Sequence, residues 1–254
     1  MRVSVVNFCS TALDMLDFSS KMLIENAGTD DFDYIVVTWN PTPEVEKWIA
    51  DHRQRKDKIQ VWRGCYFTND KLAYIPNLRA MMSFGFDAGY LRNDWVVIVN
   101  TDMAFGRNWL INLVRRAEKD VIPNSLHLTP IIGPNVITVD LGVPTVKTFD
   151  INHFWKLHNE LYREKVETEE ERSGWRNTNT FPYVIHRKWW DACGPWRPNH
   201  IKGQDAPDRQ FFERCHKAGA KFVLVHDSIV YHHEAVERRQ KKRPVGIENM
   251  QEGH

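Results

Sequence analysis

The chain opens with an uninterrupted β-rich run, residues 3–8, and then changes period: Leu13, Leu16, Met22 and Leu23 recur at helical spacing, with Gly28 placed to stop the helix. Residues 34–39 form a second β-rich run that breaks at Asn40-Pro41-Thr42-Pro43. Val45, Trp48 and Ile49 mark a short helix behind it, and residues 59–62 make a brief third strand. A longer helical segment, 75–90, carries Leu78, Met82 and Phe86 on one face and leads into residues 95–99, Trp-Val-Val-Ile-Val. Five such side chains with no polar interruption read as an interior strand, buried on both faces. Strands alternating with helices predict a mostly parallel sheet with helices on both sides, in outline a nucleotide-binding layout.

The second half is less regular. A helix is expected over 107–119, and residues 126–132 and 136–141 flank Gly133-Pro134-Asn135 as a small antiparallel hairpin. Residues 152–171 carry Trp155, Leu157 and Leu161 at helical spacing and end in a charge run, 167–172, that reads as a solvated helix end or loop. Strand character resumes at 181–185, followed by an aromatic-dense turn region over 187–196, a helix over 208–218, and strands at 222–225 and 229–233. From 237 the chain is basic and poor in apolar residues, which predicts a mobile tail or a lid over 237–254. No linker or repeat interrupts residues 1–236, so they read as one domain with a nucleotide-binding half, 1–106, and a second half, 107–236, that completes the site.

Composition narrows the classes. The 254 residues suffice to bury a large core, and 42% hydrophobic with 26% charged residues is ordinary for a globular protein. A net charge of +1 gives no bulk electrostatic reason to expect nucleic acid. The four cysteines are scattered without Cys-x-x-Cys spacing, so neither a zinc knuckle nor a disulfide framework is indicated, and a reducing cytoplasm fits best. No basic segment followed by an apolar stretch begins the chain, and no run reaches the length of a membrane span. Gly-x-Ser-x-Gly and Gly-x₄-Gly-Lys-[Ser/Thr] are both missing, which removes the serine-hydrolase elbow and the phosphate-binding loop.

The candidate chemistry gathers at ends of predicted elements. The central strand stops at Asn100-Thr101-Asp102, and a carboxylate just past the end of a buried strand lies where open α/β sheets hold ligands. One carboxylate with two neutral oxygen donors suits a hard divalent cation that also takes phosphate oxygens. The plainer reading is a turn or cap before the next helix. Asp205 and Asp208 precede another helix, and His232 with His233 follow the last strand.

The order of these clusters, strand with an Asp-containing turn, then Gly203-Gln204-Asp205 before a helix ending in Lys217-Ala218-Gly219-Ala220-Lys221, then Tyr231-His232-His233, resembles the GT-A glycosyltransferases, most closely the family-2-like group. The resemblance spans nearly the whole chain and implies a Rossmann-like three-layer α/β/α fold. It implies transfer of a sugar from a nucleotide-sugar, UDP-linked, to a hydroxyl acceptor that is a glycan, a lipid-linked sugar or a small molecule. It also implies a divalent ion, Mn²⁺ or Mg²⁺, held against the diphosphate by an Asp-x-Asp motif. Here Asn100 replaces the first Asp, which leaves Asp102 as the direct ligand, with His232 or His233 completing the shell; imidazole favours Mn²⁺. Asp205 matches the general base of inverting members, although Gln204 departs from the usual Glu and Asp208 is displaced by Pro207 and suits a helix cap. The nucleotide would meet Asn7, Phe8, Cys9, Trp39, Asn40, Asn100 and Thr101, with Arg79 neutralising a phosphate. Trp175, Trp189, Trp190 and Trp196 fall on the side expected to receive the acceptor, where indoles stack on sugar faces. Two other readings share these residues: a metal-dependent phosphohydrolase or nucleotidyltransferase, and a non-catalytic nucleotide- or glycan-binding protein of the same fold.

Overall fold

A computed structural model of the chain describes residues 1–9, 12–38, 41–54, 59–63, 89–90, 92–130, 136–143, 145, 147–165, 169–172, 182–194 and 207–233. In chain order the elements are β1 (Val3–Phe8), α1 (Leu13–Glu25), β2 (Phe32–Thr38), α2 (Pro43–Gln54), β3 (Ile59–Arg63), β4 (Trp95–Asn100) and β5 (Met103–Phe105). They continue with α3 (Trp109–Arg116), β6 (Val121–Thr129), β7 (Val136–Thr138), α4 (Ile151–Lys165), β8 (Glu169–Arg172), β9 (Tyr183–His186), α5 (Arg187–Cys193), α6 (Pro207–Lys217) and β10 (Lys221–His232). None of the helices among the described residues is long and apolar enough to cross a membrane.

The strands form one sheet in the order β3-β2-β1-β4-β9-β6-β10-β5, with β7 beside β6 and β8 beside β10. β3, β2, β1 and β4 are parallel, as the alternating pattern predicts, and β1 is flanked by β2 and β4 along its whole length. Val3, Val5 and Val6 of β1 and residues 96–99 of β4 are fully buried, and the polar residues of β2, Asp33 and Thr38, lie near its two ends. β9 then inserts antiparallel between β4 and β6, and β10 runs parallel to β6. Among the described residues the main apolar core reaches from Val3 to Tyr231, with a small second cluster at Ala12 and Met15.

Five expectations are corrected. β7 pairs with β6 in parallel register, His127 beside Val136, so no antiparallel hairpin forms there; Gly133-Pro134-Asn135 lies outside the described residues. β6 also starts earlier, at Val121, because pairing with β10 carries the backbone through Pro123 and Asn124. Within the charge run, Glu169–Arg172 is a strand, antiparallel to β10 from Phe222 to Val225. Backbone pairing at an edge does not require apolar side chains, and charges there discourage further pairing. Residues 187–193 are a helix, not a turn, begun by the His186 side chain, which accepts a hydrogen bond from the Lys188 N–H at 3.1 Å. The last two predicted strands are one, β10, whose register with β6 jumps between Val225 and Ile229.

That jump has a physical support. The extra residues, His226, Asp227 and Ser228, are pinned by α3: the Asn112 amide donates to the Asp227 carbonyl at 2.7 Å, Arg116 pairs with the Asp227 carboxylate at 3.3 Å, and Ser228 Oγ donates to the Trp109 carbonyl at 2.7 Å. Past the excursion β10 takes β5 as an antiparallel partner, Val230 beside Phe105, Tyr231 beside Ala104 and His232 beside Met103. Sequence reading had left β5 unassigned, because three residues are too few to show a period.

The exit from β5 is held by a buried histidine. Gly106 donates to the Ile229 carbonyl at 2.9 Å, and a Cβ there would approach the His158 ring to 2.3 Å, so only glycine lets α4 pack this closely. His158 Nε2 accepts the Arg107 N–H at 3.0 Å. Burial, helped by the Arg107 charge, pushes the imidazole down to about 4 against the Asn159 side-chain hydrogen bond. The folded value lies below the unfolded one, 6.5, so the proton prefers the unfolded chain. Stability should be whole above about pH 6.5 and fall as the pH drops toward 4, followed by urea midpoints across that range. His158→Gln, which keeps an acceptor and cannot take a proton, should flatten the dependence; an unchanged slope would assign it to other groups.

Candidate functional site

The site forms where the central strand lets go of the sheet. β4 ends at Asn100, the chain turns through Thr101 and Asp102, and β5 immediately joins the end of β10. The His233 N–H continues that ladder by one step, donating to the Asp102 carbonyl at 3.1 Å. Two segments separated by 132 positions thus share one backbone junction. Its side-chain consequence is direct: Asp102 Oδ1 lies 3.2 Å from His232 Nε2, and the Asn100 amide nitrogen lies 3.2 Å from the same imidazole nitrogen. His127 stands edge-on behind His232, with ring centroids 6.0 Å apart. His232 is 5% exposed, and His127 only 1%.

Electrostatics favour the charged carboxylate. Burial alone would raise the Asp102 carboxyl, but the charge and hydrogen bond of His232, a backbone hydrogen bond and the His233 charge together hold it below the ordinary carboxylate value. His232 Nε2 cannot donate to Asp102 and accept from the Asn100 N–H at once. With Nε2 protonated, Asp102 and the Asn100 carbonyl oxygen both accept from it; with Nε2 bare, the Asn100 amide donates to it. A cation at this point would meet the Nε2 lone pair, the Asp102 carboxylate and the Asn100 carbonyl oxygen. Two donors bound side by side on one octahedral ion sit about 3 Å apart, close to the 3.2 Å found between Asp102 and His232. Among the described residues, no group of three or more His, Cys, Asp or Glu side chains is assembled for a metal. The set that could take one is therefore Asp102, His232 and the Asn100 amide, with ligand oxygens and waters for the remaining positions.

His233 occupies different surroundings. Its Nδ1 lies 3.3 Å from the Tyr231 hydroxyl, which in turn accepts the Leu141 N–H at 3.2 Å and contacts the Gly142 carbonyl at 3.3 Å. Burial pushes the Tyr231 phenol up to about 12, so it stays a neutral hydrogen-bonding group. Of the two histidines, His232 is the one set against Asp102.

The proposed nucleotide side is built from the end of β1. Asn7 is fully buried, and both ends of its amide are engaged: Nδ2 donates to the Tyr34 hydroxyl at 2.8 Å, and Oδ1 accepts from Thr101 Oγ1 at 3.0 Å. Asn7 therefore touches the site through Thr101. Phe8 is half-buried, and its carbonyl is contacted by the same Thr101 hydroxyl. Cys9 is buried, its N–H donating to the Val37 carbonyl at 3.0 Å and its thiol to the Ala12 carbonyl at 3.6 Å. Trp39, Asn40, Arg79, Asp205, Trp175, Trp196 and the 237–254 tail lie outside the described residues. α6 starts at Pro207, so Asp208 belongs to its first turn rather than capping it. Trp189 and Trp190 are at the other end of the sheet: His186, just before them, pairs with Trp95 at the start of β4, whereas the site is at its finish. Trp189 is buried and Trp190 packs between Tyr90 and Phe211, which makes both core residues. Two side chains escaped the sequence reading, His127 and Tyr34. The signal for each was a buried polar tip within a strand, His127 in β6 and Tyr34 in β2.

The sequence matches no family model and no curated protein. Its fold is shared by solved structures. Residues 1–349 of TarS from S. aureus superpose with a TM-score of 0.58 at 12% identity, over 92% of this chain and 61% of that one. The mannosyltransferase PcManGT from Pyrobaculum calidifontis, solved with GDP-mannose and Mn²⁺, gives 0.57 at 12% identity, over 95% and 58%. The galactosyltransferase LgtC, solved with donor and acceptor sugar analogues, gives 0.53 at 11% identity, over 98% and 94%. The chain thus spans about three-fifths of the TarS 1–349 fragment and of PcManGT, 37% of the longer TarS structure, and nearly all of LgtC. Its mixed, mostly parallel α/β sheet matches the GT-A fold of these glycosyltransferases.

Proposed function

We propose that the chain is a metal-dependent glycosyltransferase that moves a sugar from a UDP-linked donor to a hydroxyl of a glycan, lipid-linked or small-molecule acceptor, with inversion. The observation that carries this reading is the meeting of Asn100, Asp102 and His232 at the end of the central strand of a GT-A fold. A phosphohydrolase would use a similar ion, but the likeness in fold is to sugar transferases.

In this reading Asp102 and His232 hold the cation, Asn100 contributes its carbonyl oxygen, and Thr101 keeps the turn in place. Mn²⁺ is preferred to Mg²⁺ because one donor is imidazole. When bound, the ion offsets the charge of the leaving nucleoside diphosphate. Asn100 in place of a carboxylate removes one negative charge, so the ion should be held weakly until the diphosphate arrives. Asn7, Phe8 and Cys9 shape the floor below the nucleotide, while Trp39 and Asn40 reach the base and Arg79 a phosphate.

Asp205 acts as general base. The acceptor hydroxyl gives its proton to the Asp205 carboxylate as its oxygen bonds to the anomeric carbon, and the bond from that carbon to the diphosphate oxygen breaks with its electron pair leaving on the diphosphate. Support comes from the resemblance of Gly203-Gln204-Asp205 and from α6, whose N-terminal dipole just after it favours the ionised carboxylate.

Two outcomes follow. By calorimetry, UDP should bind the wild type with Mn²⁺ and far more weakly with EDTA, and Asp102→Ala should lose the Mn²⁺-supported part; equal affinity with EDTA would remove the metal from the account. Asp205→Asn should keep donor binding while turnover, including hydrolysis of the donor by water, falls by about 10²-fold or more. Unchanged turnover would transfer the base role elsewhere, and the absence of transfer or hydrolysis in the wild type would favour the non-catalytic binding protein.

A further inference from the structure

Four buried polar side chains form a continuous hydrogen-bonded chain from α1 to the Asn100–Asp102 turn. Ser20 Oγ on α1 lies 2.8 Å from the Tyr34 hydroxyl on β2, Asn7 Nδ2 on β1 donates to that hydroxyl at 2.8 Å, and Thr101 Oγ1 donates to Asn7 Oδ1 at 3.0 Å. Tyr34 and Asn7 are wholly inaccessible, and Ser20 and Thr101 nearly so. Burying four such groups in an apolar core is costly unless each is satisfied, and here each satisfies the next. An all-apolar set would pack the same space with less risk, so the arrangement needs a reason beyond stability.

Its terminus supplies one. Thr101 is the middle residue of the turn, its hydroxyl drawn down onto Asn7 and the Phe8 carbonyl, while the residues on either side, Asn100 and Asp102, both reach His232. We propose that Tyr34 and Asn7 are positioning residues: through Thr101 they fix the turn so that Asn100 and Asp102 converge with His232 on one cation. This rests on the metal reading given above. Tyr34 suits the task because burial pushes its phenol up to about 12, against the hydrogen bonds of Ser20 and Asn7, so it stays a neutral anchor. Ser20 ties the chain to α1, the helix that also packs against β5.

The test measures Mn²⁺ alone, by the loss of its free-ion EPR signal, on wild type, Tyr34→Phe, Thr101→Val and Thr101→Ser. Tyr34→Phe and Thr101→Val keep volume and delete one hydroxyl each; Thr101→Ser keeps the hydroxyl. Both deletions should weaken Mn²⁺ at least 10-fold in protein shown to be folded by circular dichroism, Thr101→Ser should stay within about 3-fold of wild type, and the double variant should lose little more than either deletion, as expected of one chain. Ser20→Ala, at the far end, provides a gentler variant if Tyr34→Phe fails to fold, and should show a smaller loss in the same direction. Folded deletions that bind Mn²⁺ like wild type would overturn the positioning role while leaving the metal site standing. A wild type that takes no Mn²⁺ would remove the metal reading and this proposal with it.

Discussion

The candidate site depends on one short antiparallel pairing, β5 against the end of β10. Three residue pairs, extended by the His233 N–H to the Asp102 carbonyl, bring the exit of the central strand beside the last described residues of the chain. Neither Asp102 nor His232 is notable alone. Set 3.2 Å apart in a buried position, with Asn100 on the same imidazole nitrogen, they form the cluster on which the proposed cation site rests.

The pairing is bought by an irregularity. β10 runs in step with β6 as far as Val225, gains three residues held by Asn112, Arg116 and Trp109 of α3, and only then resumes with Ile229 beside Leu126. A β-bulge of this kind re-aims a strand, and such features concentrate near functional sites. Arg116 and Asp227 form a nearly buried ion pair whose effect on net stability is small but whose loss would leave a charge stranded at the bend. On the opposite side of the turn, the Ser20–Tyr34–Asn7–Thr101 chain restrains the other half of the junction. The site is therefore clamped from two directions by polar groups inside an apolar core.

Much of the fold of residues 1–106 was legible in the chain, because β1, β2 and β4 are buried and show as largely apolar, β-branched runs. Residues 95–99 and the Asp102 that follows needed only this argument. The second half resisted for reasons that are specific. Pro123 and Asn124 interrupt the apolar run of β6, yet pairing with β10 carries the backbone through them; Glu169–Arg172 is a strand by edge pairing despite its charges; and β5 is too short to have a period. His232 could be placed near Asn100 and Asp102 from sequence only by resemblance, since no local pattern encodes contacts such as Asn100 to His232, across 132 positions. Trp189 and Trp190 misled for a related reason: their composition suited a sugar platform, but the antiparallel entry of β9 puts them at the far end of β4.

The most direct test of the account is a crystal structure of the protein soaked with UDP and Mn²⁺. The ion should lie about 2.0–2.3 Å from an Asp102 oxygen and His232 Nε2, with the diphosphate completing its shell at the end of β4. Density for the diphosphate at another edge of the sheet, or an ion that leaves the Asp102–His232 contact untouched, would contradict it.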